Sequence, residues 1–156
     1  MKKELFILII SWTALLFLLI KYIPKDSRRY FQIVFLFGQA IAWIFEYSQV
    51  VFGLLEFPYR EFEIATKMSF SLHYVVLPTF GVFFILLYPL NKSRKRVVIH
   101  YLIFGMASPT YIYFLENYSS LIHFIKWNWL IAVFVNFIIL YIIQKFAFWF
   151  KKGLLH

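Results

Sequence analysis

The chain has 156 residues, 63% of them hydrophobic, 24% aromatic and only 15% charged, whereas a soluble globular protein is about half apolar and about one quarter charged. The absence of cysteine excludes disulfides, thiol catalysis and thiolate metal sites. The net charge of +9 sits in short clusters between apolar runs, as at the cytoplasmic edge of a membrane protein, and leaves no extended basic face for nucleic acid.

Five apolar runs follow one another, at residues 5–20, 30–52, 70–87, 97–115 and 129–148. Each meets or nearly meets the length that a hydrocarbon layer of about 30 Å requires at a rise of 1.5 Å per residue. They predict an all-α, polytopic transmembrane helix bundle forming a single domain. The first run resembles a signal peptide in position, but bulky Leu18, Leu19, Ile20, Tyr22 and Ile23 offer no small-residue cleavage site, so an uncleaved first span is expected. In the fourth run Pro109 must free a backbone carbonyl; it predicts a kink, with the hydroxyl of Ser108 or Thr110 as a substitute donor. Between the runs, residues 53–69 form a loop of mixed charge. Residues 116–128 are semi-polar, and Leu121, Ile122, Phe124 and Ile125 suit a short interfacial helix.

Five spans place the N-terminus and the second and fourth loops on one side, which carries Lys2, Lys3, Arg60, Lys67 and Lys126. The other side carries eleven basic residues: Lys21, Lys25, Arg28, Arg29, Lys92, Arg94, Lys95, Arg96, Lys145, Lys151 and Lys152. Positive loops stay in the cytoplasm, so the N-terminus is expected outside and the C-terminus inside, in the cell membrane.

The polar residues inside the runs need partners. Gln32, Gln39 and Glu46 recur every seven residues, so each is turned only about 20° from the last and together they draw one stripe down the second helix. Glu46 lies roughly 9 Å inside the outer end of its span. There a carboxylate costs several kcal/mol unless it finds a partner or water. It reads either as a proton-binding or ligand-binding group or as a helix-packing contact. His73, at a similar depth in the third span, is a candidate to face it. In the outer loop, Glu56 with Arg60 and Glu63 with Lys67 are four residues apart, the spacing of acid-before-base pairs on a helical turn. Alternatively Arg60 or Glu61 folds as a lid over the outer mouth, where Glu46, His73, Glu116, Asn128 and Tyr113 would line a small polar vestibule. Asn136 in the fifth span is expected to hydrogen-bond between helices, with Gln32 and Pro109 also in packing roles. The four histidines show no metal spacing, and neither a metal nor a cofactor is expected.

The segments Met1-Lys2-Lys3-Glu4-Leu5-Phe6-Ile7-Leu8-Ile9, Lys21-Tyr22-Ile23-Pro24, Gly53-Leu54-Leu55-Glu56-Phe57-Pro58-Tyr59-Arg60-Glu61-Phe62, Ala65-Thr66-Lys67, Tyr88-Pro89 and Lys126-Trp127-Asn128-Trp129 together resemble a family of small multi-pass membrane proteins of spore-forming Firmicutes. That resemblance implies location and architecture and carries no reaction or ligand. The expected function is that of a small noncatalytic membrane protein, an accessory, sensing or binding component whose partners are membrane lipids and a membrane protein or a second copy of itself. Two other classes are open: a proton-coupled or small-solute transport component in which Glu46 titrates and Gln39 and Gln32 continue a polar path, and an intramembrane enzyme acting on a lipid or polyisoprenoid with Glu46 or Glu116 and His73 as acid and base.

Overall fold

A computed structural model describes residues 2–90 and 93–154, so Asn91 and Lys92 of the expected inner turn and basic cluster lie outside the described residues. The chain is helical: α1 is Lys2–Tyr22, α2 Arg28–Val51, α3 Leu77–Leu86, α4 Arg94–Tyr118 and α5 Trp129–Gly153. A 3-10 turn at Lys25–Ser27 precedes α2 and a π-helical turn at Leu72–Val76 leads into α3. Four helical stretches, Lys3–Tyr22, Lys25–Val51, Arg94–Tyr118 and Trp129–Gly153, are long and apolar enough to cross a membrane. Their outward faces carry apolar side chains such as Phe6, Phe17, Leu36, Ile103, Phe134 and Tyr141, the surface of a membrane protein. α1 and α4 overrun the expected spans at both ends, and α2 and α5 at one. Their end turns continue through Lys21, Arg28 and Arg29, Arg94 to Arg96, and Lys151 to Lys152, where long basic side chains reach past the hydrocarbon.

The helix that falls short is the one at the centre. Leu72–Leu86 spans only about 22 Å at the helical rise, yet it packs on α1, α2, α4 and α5 and buries Leu72, His73, Val76, Thr79, Val82 and Phe84 almost completely. One core cluster gathers Leu8, Leu55, Phe57, Leu72, Leu115 and Leu121 at the end of the bundle where the second and fourth loops meet. A second, with Phe31, Val34, Val82, Phe84, Ile143 and Ala147, fills the opposite, basic end.

The two loops form one cap. Gly53, at φ 63°, closes α2 in the left-handed conformation that glycine adopts without strain, and Leu54 N donates back to Gln49 O at 2.9 Å. The chain then extends, and β1 (Leu55–Glu56) pairs antiparallel with β2 (His123–Phe124). Further bonds run from Ile125 N and Lys126 N to Leu54 O and from Tyr59 N to Ser120 O. This overturns two expectations. Leu121 and Ile122 do not lie along an interface in a helix; they are buried beneath the cap. Nor do Glu56–Arg60 and Glu63–Lys67 pair: the backbone at Glu56 is a strand and not a helical turn, the turn at 61–65 ends before Lys67, and the ion pairs between described residues are Glu46–His73 and Glu116–His123.

Two prolines shape the interior. Pro78 has no N–H to offer Tyr74 O four residues earlier, and its ring crowds that carbonyl; the helix widens into the π turn at this point. The amide of Gln39 on α2 donates to Tyr74 O at 2.6 Å. Gly38 makes the approach possible, since a Cβ there would lie 3.3 Å from Pro78 Cα. Pro109 repeats the arrangement: Asn136 Nδ2 on α5 donates to Gly105 O at 3.0 Å and to Phe104 O at 3.1 Å. The freed carbonyl is thus served by a neighbouring helix and not by the expected hydroxyls. Thr110 Oγ1 accepts from Trp129 Nε1 instead, and α4 runs on through Pro109.

Replacing Asn136 by Leu leaves Gly105 O without its donor and is expected to destabilise the protein by about 1 kcal/mol, measured by denaturant unfolding in micelles. In a Pro109→Ala background the restored N–H can serve Gly105 O, and the cost of Asn136→Leu should fall by at least about half. Equal costs in the two backgrounds would show that Asn136 does not take the proline's place.

Candidate functional site

Glu46 lies on the buried face of α2 together with Val34, Gly38 and Ala42. These four positions advance by i+4 steps, so the contact face winds around the helix by about 40° per step. The Gln32–Gln39–Glu46 stripe winds the other way, by about 20° per heptad. The two meet at Glu46, which is buried, and part by Gln32, which is exposed. Gln32 is therefore not a packing residue inside the bundle, and Gln39, between them, is half-buried and committed to Tyr74 O.

Opposite Glu46 stands His73, the second residue of the π turn. Its Nδ1 lies 3.2 Å from Glu46 Oε2, with side-chain exposures of 2% and 9%. Neither atom has a hydrogen-bond partner among the described residues, so the ion-pair contact between them is what each group has. Three elements hold the histidine. The π turn brings the ring to the α2 side, Tyr74 packs against it at a centroid distance of 4.3 Å, and the start of the helix is fixed from outside by Glu61.

Glu61 is a helix cap. Its carboxylate accepts from Phe70 N at 3.0 Å, from Ser71 N at 2.9 Å and from Ser69 Oγ at 3.3 Å, satisfying two of the first free N–H groups of the central helix from nine and ten residues upstream. It joins the outer loop to the bundle and is not a mobile lid. Arg60 beside it is half-buried, and its Nε is enclosed without a hydrogen-bond partner among the described residues.

The polar vestibule expected at the outer mouth does not form. Glu116 turns to His123, 3.9 Å away at the surface. Asn128 caps α5 by accepting from Ile131 N at 2.9 Å, and Tyr113 is exposed. What the structure places around the pair is two spaces of different character. Glu46 borders a narrow cleft of about 90 Å³ between α2, α3, α4 and α5. Its roof is the apolar underside of the cap, Leu55, Phe57, Ile122 and Phe124, and its walls reach Ser108 and Asn136. His73 borders a pocket of about 340 Å³ lined by Trp43, Phe62, Phe70 and Tyr74 with Ala65 and Thr66 of the outer loop. The Glu46–His73 pair is the polar element between them. A volume of about 90 Å³ admits a few water molecules, so a proton or a small polar group, not a bulky solute, fits the inner side.

The aromatic pocket is the feature that sequence reasoning missed. Its residues come from α2, the outer loop and the π turn, and no spacing links Trp43 to Phe62 and Phe70. Pro78 could have been found: a proline four residues after Tyr74 in an apolar run marks a freed carbonyl as clearly as Pro109 does. Among the described residues no three side chains converge as a metal would need. No family model, curated protein or solved structure matches this chain.

Removing one member of the buried pair strands the other. Glu46→Leu and His73→Leu are each expected to cost about 3 kcal/mol of stability, while the double variant should cost well under their sum, because two apolar side chains leave no orphaned polar atom. The check is a double-mutant cycle by unfolding in micelles; additive losses would mean that the two groups do not interact.

Proposed function

We propose that this chain is a five-span integral protein of the cell membrane, with its N-terminus outside and its C-terminus inside, and that it works as a binding or sensing component and not as a catalyst. The observation that carries the reading is the Glu46–His73 pair: two titratable groups, 3.2 Å apart and buried, between a pocket beneath the outer loop and a cleft between the helices. Such a pair has few protonation states, and a proton or a polar ligand reaching His73 through the pocket changes the ion-pair contact that joins α2 to the π turn. That is a local change at the junction of two packed elements, the form a sensor's input takes. The resemblance to small multi-pass proteins of spore-forming Firmicutes supports the location.

Two features favour binding over the other classes. The polar stripe offers no path for transport, since Gln39 is engaged by a carbonyl and Gln32 faces away from the interior; beyond Asn136 the bundle is closed by Leu140, Ile143, Val82 and Phe84. Of the two acid–base pairings that an enzyme acting on a lipid would use, Glu116 with His73 is not assembled, because Glu116 turns to His123, and the Glu46 side of Glu46–His73 opens only on a space of about 90 Å³, too small for a lipid. The orientation follows from the basic residues, eleven on the side of the first and third loops against five on the other.

The chain's lack of cysteine makes the topology directly testable. Thr66→Cys should react with an impermeant maleimide on intact cells, and Ser93→Cys only after permeabilisation; the reverse pattern would invert the topology. The sensing role is tested in nanodiscs by following thermal unfolding and the His73 ring ¹⁵N resonances through a pH titration. The wild type should show a pH-dependent component that both Glu46→Gln and His73→Gln abolish. Superimposable profiles for wild type and Glu46→Gln would overturn the reading.

A further inference from the structure

The first two helices part toward the basic end of the bundle. α1 is held through its outer half: Leu8 is buried in the outer core, Ser11 Oγ lies 2.7 Å from Tyr111 OH on α4, and Trp12 Nε1 donates to Ser71 Oγ at 2.8 Å. Past these contacts the chain still touches the inner core through Leu19 and Ile23, and Tyr22 meets Phe83, but α1 leaves room beside them. A cleft of about 760 Å³ opens between Leu16, Leu19 and Ile20 of α1 and Phe31 and Leu36 of α2, with Val82 of α3 also in its wall. Its polar lining consists of Arg28 and Gln32, one helical turn apart on α2 and both exposed. Arg28 forms no ion pair among the described residues, and the one acidic residue in the 21–29 connection is Asp26.

We propose that this cleft is a binding site for one anionic phospholipid, with an acyl chain lying between α1 and α2 and the headgroup phosphate on Arg28. The lining that lies within the hydrocarbon is apolar, so its occupant must be apolar there too. A transmembrane helix, about 10 Å across, is too wide to enter at this point, because α1 and α2 are tied together just below by the five residues 23–27; an acyl chain slips in from the side. At the rim, a guanidinium with no carboxylate partner matches a phosphate in charge and in forked geometry, and Gln32 supplies an amide to the ester region. The site is separate from Glu46–His73, and its fate does not decide that of the sensing role.

Generic attraction of a basic edge for anionic lipid predicts that neighbouring arginines matter equally; a built site does not. Arg29, next in sequence and exposed, does not line the cleft. The experiment is native mass spectrometry of the full chain released from micelles, titrated with phosphatidylglycerol or phosphatidylcholine. The expected result is one tightly retained phosphatidylglycerol, bound about tenfold better than phosphatidylcholine. Arg28→Gln should remove that preference and Arg29→Gln should leave it. Leu19→Trp, which fills the cleft, should weaken retention of both lipids, with unchanged unfolding behaviour in the Arg28 variant showing that the fold is intact. Equal effects of Arg28→Gln and Arg29→Gln, equal binding of the two lipids, or a dimer in place of the retained lipid would each overturn the proposal.

Discussion

In hydrocarbon a backbone carbonyl without a donor has no water to turn to, and most of this bundle's interior is arranged around that constraint. Pro78 and Pro109 each free the carbonyl four residues earlier, and each time the donor comes from the next helix: Gln39 for Tyr74 O and Asn136 for Gly105 O. The bonds tie α2 to the central helix and α5 to α4, so the same residue that strains one helix specifies its neighbour. Close approach follows from this. Gly38 lies against Pro78, and Gly105 leaves room for the Phe137 ring, which would clash with a Cβ placed there. Individually such interhelical bonds are modest, on average under about 1 kcal/mol. Their weight lies in allowing one register and excluding others.

The central helix needs the same care at its ends, since it is too short to carry them to water. At the start, Glu61 reaches in from the cap to take Phe70 N and Ser71 N. At the finish, His100 contacts Phe84 O at 2.9 Å from α4. Once these are assigned, most of the intramembrane polar side chains have a structural role. Gln39 and Asn136 serve prolines, Thr79 bonds Val75 O, and Tyr101, Gln144 and Tyr88 join one another across the basic end. Glu46 and His73 serve no backbone group. A carboxylate and an imidazole kept inside a bundle only for each other add little stability over a well-packed apolar pair, which is the physical ground for giving them a function.

Helix existence and approximate bounds were legible in the chain because the apolar runs are long and the bilayer's thickness fixes what length means. The Glu46–His73 pairing was legible too, from two ionisable residues at a common depth. The failures share a cause: heptad spacing gives a straight stripe, but the contact face of a packed helix winds, so Gln32 fell outside and Gln39 met a carbonyl. The outer loop misled in another way. Its acid-before-base spacing describes a helix, and the backbone chose a strand, because Leu55 and Phe57 bury in the cap while Glu56 points out. Glu61 as a cap for a helix that begins nine residues later, and the aromatic pocket assembled from three segments, depend on tertiary closure that no local pattern records.

The pair and the proline at the centre form one device. His73 is the residue before Tyr74, whose carbonyl Pro78 releases and Gln39 takes, and Gln39 lies two helical turns from Glu46 on the same helix. The π turn that proline enforces is what presents the imidazole to α2. α2 therefore meets this turn at adjacent residues, through the hydrogen bond from Gln39 to Tyr74 O and the ion-pair contact of Glu46 with His73. In the role proposed for the pair, a change in its contact leaves α2 as a whole in place, because Gln39 holds it. It acts instead on the turn above the clasp, where Glu61 and the outer cap are attached. The pair is thus joined to the cap through the π turn and the Glu61 cap, and it lies away from the basic end of the bundle.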